Sequence, residues 1–209
     1  MFMNKRRIIL FFLIGVIIAI IIMLVVKYIN LSSLEYDDGD KFKDEYMELN
    51  NVATDDGKKY PRVSISDENK IKYTSYDEIL DIFNNDGDAV IYFGYAKCLY
   101  CRSVVSVLVD AAVETGLDKI YYLDIEEKEE NYEQLFTVLD DRFIDTSNND
   151  RKIYSPLVIF VADGKIVSHN KGTLFSQDDP YVLLDASQIE GLKSIYVSGI
   201  NDVMDAMNE

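Results

Sequence analysis

Cysteine, histidine and basic residues are all scarce in this chain of 209 residues, and each scarcity excludes a class of protein. Two cysteines, Cys98 and Cys101, are too few for a disulfide-rich scaffold or for a zinc site built from four thiolates. The single histidine, His169, brings the number of candidate metal ligands to three at most, and nothing in its position makes them converge. Lys and Arg number 21 against 37 Asp and Glu, and the net charge of −16 repels nucleic acid. We therefore expect neither a metal nor a nucleic-acid partner.

Signatures of nucleotide and calcium binding are missing as well. None of the 10 glycines belongs to a phosphate-binding loop or a dinucleotide fingerprint, so no nucleotide cofactor is implied. The glutamates at positions 126–130 lack the glycine and the spacing of a calcium loop, and we interpret them as a solvated helix start. Tyr121 and Tyr122 are interpreted as core and sheet surface rather than as a binding platform.

A long apolar run is the most prominent feature of the N-terminal region. Residues 8–26 are 19 consecutive apolar residues without a charge, and at about 1.5 Å per residue they reach roughly 28 Å, close to the thickness of a bilayer core. Basic residues at 5–7 precede the run and acidic residues follow it, so the positive-inside rule keeps residues 1–7 in the cytoplasm. We expect a membrane anchor over 8–28 and an extracellular C-terminal domain. A cleaved signal peptide is the alternative, although the run is long and lacks an Ala-x-Ala exit.

Residues 29–62 are predicted to form an acidic stalk or linker. They include Asp-Asp-Gly-Asp at 37–40 and Asp-Asp-Gly-Lys-Lys at 55–59, with a short helix predicted over 41–49 between them. After residue 30 the chain carries 17 basic and 37 acidic residues, a net −20. Because charge runs are usually solvated, we interpret this segment as a spacer, with an acidic docking arm as the alternative.

Residues 63–209 have the pattern of an α/β domain with a mixed central sheet flanked by helices. A buried strand, a helix ending at Gly116 and a further strand predict a parallel unit. The pair Asp163 and Gly164 between two apolar runs predicts an antiparallel hairpin. The predicted strands are 71–73, 89–95, 119–124, 157–162 and 165–168, and helices are predicted over 75–83, from the cysteines to residue 116, over 131–143 and over 187–207.

The two cysteines stand where the buried strand gives way to a helix. This position puts a thiol at the positive end of the helix dipole, where a thiolate is favoured. The second sulfur lies one turn further along, so Cys98 can attack a substrate disulfide and Cys101 can resolve the mixed disulfide. Arg102 adds a cation that could lower the thiol pKa further, and a solvated first-turn side chain is the alternative interpretation.

Two segments in this order resemble the thioredoxin superfamily. The first is 93–102, Phe-Gly-Tyr-Ala-Lys-Cys-Leu-Tyr-Cys-Arg, and the second is 154–165, Tyr-Ser-Pro-Leu-Val-Ile-Phe-Val-Ala-Asp-Gly-Lys. A glycine four residues before the first cysteine and an arginine after the second are similar to the bacteriocin-transport-accessory type of thioredoxin-like protein. The resemblance extends from residue 71 to the C-terminus.

The resemblance implies a redox-active disulfide with Cys98 as nucleophile and Cys101 as resolving thiol, and no further cofactor. It also implies a cis peptide bond before Pro156, which aims the backbone of Ser155 at a bound peptide. The side chains around the cysteines complete the implied substrate-binding set: Lys97, Leu99 and Tyr100.

Four departures from the thioredoxin pattern stand out. Lys97 replaces the usual tryptophan, of which the chain has none, and Leu99 and Tyr100 replace Gly-Pro between the cysteines. The carboxylate that thioredoxins bury beneath the site would fall on Tyr92, so the usual proton acceptor is missing. Residues 131–150 are an insertion, interpreted as a substrate-facing flap.

The sequence thus predicts a membrane-anchored, extracytoplasmic thiol-disulfide oxidoreductase of a Gram-positive-like bacterium. Its expected partners are protein or peptide thiols and disulfides, the membrane, and a membrane electron-transfer protein. The alternative is a non-catalytic thioredoxin-fold accessory module for peptide export or immunity, in which the cysteines form a structural disulfide.

Overall fold

The computed structural model describes two compact units, which divide between residues 37 and 38. In the first unit, residues 14–23 are helical and their side chains are exposed. Among the helices described, none combines the length and the hydropathy needed to cross a bilayer. The predicted cytoplasmic segment 1–7, and the parts of the predicted anchor at 8–13 and 24–28, lie outside the described residues. The described residues are 14–23, 37–126, 132–146, 151–174 and 177–208.

A five-stranded sheet forms the centre of the second unit. Its strands are β1 (Ile71–Tyr73), β2 (Ala89–Gly94), β3 (Ile120–Asp124), β6 (Leu157–Ala162) and β7 (Lys165–Lys171), and a separate small hairpin consists of β4 (Ile144–Asp145) and β5 (Lys152–Ile153). The strand order is β1-β3-β2-β6-β7. The first three strands are parallel, and β6 and β7 continue the sheet antiparallel. The predicted mixed sheet, parallel in its first half and antiparallel in its second, is confirmed.

Four helices surround this sheet: α1 (Asp38–Glu48), α2 (Tyr76–Asn84), α3 (Leu99–Thr115) and α4 (Ala186–Ala206). The Ser75 hydroxyl caps α2 by accepting a 3.2 Å hydrogen bond from the Glu78 N–H. Gly116 ends α3 in the left-handed region, with φ 73°, where a residue without Cβ carries no steric cost. With α3 after β2 and the β6–β7 hairpin closing the sheet, the fold is thioredoxin-like.

Each face of the sheet buries its own core. On the thiol face, α1, α3 and α4 cover a cluster that includes Phe42, Tyr92, Leu108 and Tyr196 together with the cysteines. On the insertion face, α2 and residues 132–146 and 151–153 cover a largely aliphatic and phenylalanine cluster. All six residues of β2 are buried, because the strand packs on both faces, and this explains its continuous apolar run.

Of the solvated stalk predicted over 29–62, residues 29–36 lie outside the described residues, whereas residues 38–62 belong to the second, folded unit. Phe42 and Tyr46 of α1 have no exposed surface and pack beneath the sheet, with ring centroids 4.6 Å apart. Residues 51–60 form a turn closed by backbone hydrogen bonds between Asn51 and Tyr60 (3.3 Å) and between Tyr60 and Val52 (3.0 Å). The prediction was wrong here because the acidic residues are the outer side of an amphipathic helix whose inner side is aromatic.

The insertion is also different from the helix predicted over 131–143. It contains two 3₁₀ helices, Tyr132–Thr137 and Asp141–Phe143, followed by the β4–β5 hairpin. The Asp140 side chain accepts a 2.9 Å hydrogen bond from the Arg142 N–H, so it caps the second 3₁₀ helix and interrupts any continuous helix. Residues 131 and 147–150 of the predicted insertion lie outside the described residues.

Candidate thiol-disulfide site

Cys98 and Cys101 lie at the N-terminus of α3, at the edge of the sheet where β2 ends. Cys98 is the N-cap residue, with φ −67° and ψ 114°, and its Sγ accepts a 3.1 Å hydrogen bond from the Cys101 backbone N–H. The two sulfurs are joined as a disulfide, with the Cα atoms 5.1 Å apart. Because helix N-termini attract negative charge, the same N–H group stabilises a thiolate on Cys98 when the pair is reduced.

Solvent reaches the two cysteines unequally. Cys98 keeps 8% of its surface exposed, whereas Cys101 has none. Exchange requires the attacking sulfur to reach the sulfur that it attacks. Of the two cysteines, Cys98 is therefore the one that an external thiol can approach more easily.

The predicted peptide-binding residues Ser155 and Pro156 lie at the same edge of the sheet. The peptide bond between them is cis. The next residue, Leu157, pairs with Phe93 of β2, five residues before Cys98. Pro156 is buried and Ser155 is half-buried. The Pro156 carbonyl accepts a 2.7 Å hydrogen bond from the Gly172 N–H, which ties this loop to the end of β7.

The other predicted substrate residues surround Cys98 on the surface. Tyr100 is 37% exposed and Leu99 is half-buried in the first turn of α3. The exposed Lys97 ammonium forms a 2.7 Å ion pair with the Glu126 carboxylate. Sequence reasoning assigned Glu126 to a solvated helix start and missed this contact. Its position directly after β3, whose end lies beside the end of β2, was the available signal.

Tyr92 of β2 belongs to the same buried cluster as the two cysteines. Its ring is fully buried and stacks on Tyr122 with centroids 5.4 Å apart, and its hydroxyl is 2.9 Å from the Tyr46 hydroxyl. Burial raises the pKa of both Tyr46 and Tyr92 well above the usual value, so the hydroxyls stay protonated. A Cβ on Gly94 would overlap the Tyr92 ring, which gives a steric reason for a glycine at this point of the motif.

Arg102 is buried, and the interpretation of it as a solvated side chain is wrong. Only 1% of its surface is exposed. Its Nη1 donates to the carbonyls of Tyr46 (2.8 Å) and Ala96 (3.2 Å), its Nε to the carbonyl of Pro61 (2.9 Å), and its Nη2 to Oδ1 of Asn50 (2.7 Å). Burial lowers the pKa of the guanidinium from its usual value, but arginine remains charged in proteins. Sequence analysis could not find these partners because they lie 41 to 56 residues away, apart from Ala96.

A cavity of about 270 Å³ opens beside the cis peptide bond. Tyr95, Glu126 and Ser155 line it from the sheet edge, and the inserted segment contributes Tyr132 and residues 152–153. Its volume is near the lower end for small-molecule pockets, so it suits a single side chain better than a free ligand. The described part of the insertion thus borders the same edge as the cysteines.

The remaining sequence candidate, His169, lies away from the cysteines on β7. It pairs with Ile159, and its ring packs edge-on against Phe143 with centroids 4.8 Å apart. Burial lowers its pKa from the usual value. Among the described residues, no three side chains of histidine, cysteine, aspartate or glutamate come together as a metal site.

No protein-family model and no curated protein matches this chain. Among solved structures, thioredoxin O2 from Arabidopsis thaliana in the oxidized state is similar, with 15% identity over 63% of this chain and 96% of that one and a TM-score of 0.39. Thioredoxin O1 from the same plant, also in the oxidized state, has 18% identity over 61% of this chain and 99% of that one and a TM-score of 0.38.

Proposed function

We propose that this protein is a membrane-anchored, extracytoplasmic thiol-disulfide oxidoreductase that acts on protein or peptide substrates through Cys98 and Cys101. One observation carries the proposal: a cysteine pair lies at a helix N-terminus with Cys98 as the N-cap, and Cys98 keeps 8% of its surface exposed whereas Cys101 keeps none. In reduced form, the helix N-terminus favours the thiolate at the sulfur that a substrate can reach.

The exchange proceeds in two steps. The Cys98 thiolate attacks a substrate disulfide, forming a mixed disulfide and releasing one substrate thiolate. Cys101, as thiolate, then attacks Cys98 Sγ, which releases the second substrate thiolate and leaves the Cys98–Cys101 disulfide. Two electrons pass to the substrate, and the reverse sequence oxidises a dithiol. Lys97, Leu99 and Tyr100 surround the attacked sulfur as substrate contacts.

The backbone at Ser155 and Pro156 holds the substrate as an added strand. These residues precede β6 at the edge where β2 leads to Cys98, so a peptide lying along them passes the reactive sulfur. The neighbouring cavity, lined in part by Tyr95 and Tyr132, accepts a side chain of the same peptide.

The extracellular location and the anchor are supported by the sequence. The apolar run at 8–26 and the basic residues before it favour a single-pass anchor with the N-terminus in the cytoplasm. Outside the cytoplasm disulfides form and persist, so secreted proteins are the substrates, and a membrane electron carrier is the partner that recycles the pair.

A second function, a non-catalytic accessory module for peptide export, is favoured by two observations. Cys98 is only 8% exposed, and Tyr92 stands where a carboxylate would accept the proton of the resolving thiol. In this alternative the disulfide is structural and the edge at Ser155 and Pro156 only binds a peptide.

A trapping experiment separates the two functions. In the full chain, Cys101→Ser removes the resolving thiol, so an oxidoreductase accumulates mixed disulfides at Cys98 with proteins of the cell envelope, detected on non-reducing gels. Cys98→Ser is the matched control, because its remaining sulfur is enclosed and should trap nothing. If neither variant traps a protein and the wild-type disulfide resists reductant in the folded state, the accessory function stands instead.

A further inference from the structure

The side chain of Arg102 is a buried cation that is held only by neutral oxygens. Its surface is 1% exposed, and its four side-chain hydrogen bonds go to three backbone carbonyls and to the side-chain amide of Asn50. In the part of the chain that the structure describes, no carboxylate lies within ion-pair distance of it. The only aromatic ring in cation–π range of it there is that of Tyr60, 5.5 Å from Cζ. The charge is therefore satisfied by hydrogen bonds but is not neutralised.

This cation is directly connected to both sides of the cysteine pair. Arg102 follows Cys101 in the sequence, and its backbone N–H donates to the Cys98 carbonyl at 3.1 Å. Its Nη1 reaches back to the carbonyl of Ala96, two residues before Cys98, at 3.2 Å. The guanidinium thus holds the loop that places Cys98 at the helix N-terminus.

We propose that Arg102 is a positioning residue of the thiol site and that its buried charge, which has no counter-ion among the described residues, favours the thiolate form of the reduced pair. The inference rests on the proposed function, because it concerns the same sulfurs. Charge interactions are stronger where water is excluded, and only 1% of the Arg102 surface is exposed. Since reduction creates the thiolate, a group that stabilises it makes the pair a stronger oxidant.

Residues 38–62, which precede the first strand of the sheet, help to hold the guanidinium of Arg102 in place. Three of the four oxygens that hold the guanidinium belong to Tyr46, Asn50 and Pro61. Residues 38–62 therefore set the position of the charge, although they contribute no sulfur and no predicted substrate contact.

The sharpest test neutralises the charge without removing its hydrogen bonds. Asn50→Asp places a carboxylate at the oxygen that already accepts from Nη2 at 2.7 Å. We expect the pKa of the Cys98 thiol to rise by about one unit. At any pH well below the pKa, the fraction of Cys98 present as thiolate then falls about tenfold. Ultraviolet thiolate absorbance against pH gives the pKa, and equilibration with glutathione should show a more reducing pair.

Asn69→Asp is the matched control. Asn69 lies just after the segment 38–62 and donates to the Gly39 (3.1 Å) and Ser66 (2.9 Å) carbonyls next to the start of β1, at the opposite end of the sheet. It introduces the same negative charge away from Arg102, so the thiol pKa and the glutathione equilibrium should not change. Equal shifts in both variants would mean a general charge effect and would overturn the proposal.

Two substitutions of the arginine itself keep the proposal testable if Asn50→Asp does not fold. Arg102→Lys keeps a charge and should leave the thiol pKa near that of the wild type, whereas Arg102→Met should raise it. A purely structural role would make the two variants alike, which contradicts the proposal. Because none of these measurements needs a substrate, they fail independently of the trapping experiment.

Discussion

The two faces of the sheet are built from different kinds of side chain. The thiol face buries the cysteine pair, Arg102 and four tyrosines, Tyr46, Tyr92, Tyr122 and Tyr196. The insertion face buries mostly Leu, Ile, Val and Phe. Apolar packing loses energy in proportion to the volume removed, whereas a buried polar group that loses its partner keeps its full desolvation cost. The cysteine pair thus lies on the face that also buries Arg102 and the tyrosines, whose polar groups depend on specific partners.

The largest expected loss of stability is on the thiol face. Arg102→Met removes the guanidinium donor from three carbonyl oxygens, whereas the Asn50 amide oxygen keeps its hydrogen bond from the Val63 N–H, and we expect the free energy of unfolding to fall by about 4 kcal/mol. Urea unfolding of the oxidised full chain measures it. If Arg102→Met lowers the free energy of unfolding by less than Leu135→Ala on the insertion face does, water or a neighbouring side chain must replace the hydrogen bonds of the guanidinium.

The reference for that comparison is Leu135→Ala on the insertion face. Leu135 has no exposed surface, and removing its side chain leaves a cavity that should cost about 3 kcal/mol. The same urea titration measures it, and the cysteines should keep their wild-type glutathione equilibrium. A changed equilibrium would show that the faces are not independent.

Alkaline pH should weaken the thiol face selectively. Because burial raises the pKa of Tyr46, Tyr92 and Tyr122 well above the usual value, the folded chain keeps protons that the unfolded chain releases above about pH 10. Stability is fully present below that pH and should fall by about 1.4 kcal/mol per pH unit for each tyrosine. The free energy of unfolding, measured from neutral to alkaline pH, gives this slope. Tyr46→Phe should reduce the slope by about 1.4 kcal/mol per pH unit, the contribution of one tyrosine. An unchanged slope would contradict the assignment.

The smallest effect is expected at a polar contact within the insertion face. The Tyr132 hydroxyl accepts a hydrogen bond from the Ile153 backbone N–H and so ties the first 3₁₀ helix to β5. Tyr132→Phe should lower the free energy of unfolding by about 1 kcal/mol. Urea unfolding measures the change. If Tyr132→Phe lowers the free energy of unfolding as much as Arg102→Met does, polar contacts on the two faces contribute equally to stability and the proposed difference between the faces is wrong.

Local patterns were enough to predict the central sheet and the helix that carries the cysteines. The buried run of β2, the glycine at the end of α3 and the Asp163–Gly164 turn each act over a few residues, so they can be read from the sequence. The packing of α1 could not be predicted this way, because its inner side is only Phe42 and Tyr46 among many acidic residues. Only the tertiary structure supplies the surface that these rings cover.

At the candidate site, the sequence predicted that the cysteine pair lies at the start of a helix and that the peptide bond before Pro156 is cis. It did not predict the partners of Arg102 or the pairing of Lys97 with Glu126. Those contacts join residues 29 to 56 positions apart across separate elements, and no spacing rule connects them.

The close approach of Tyr92 to Gly94 makes these two positions a single unit for redesign. An aspartate introduced at 92 would leave an empty volume below the glycine and would remove the hydrogen-bond partner of Tyr46. Conversely, any larger residue at 94 is blocked as long as the tyrosine ring remains. Introducing a carboxylate at position 92 therefore requires coordinated substitutions on β2 and α1.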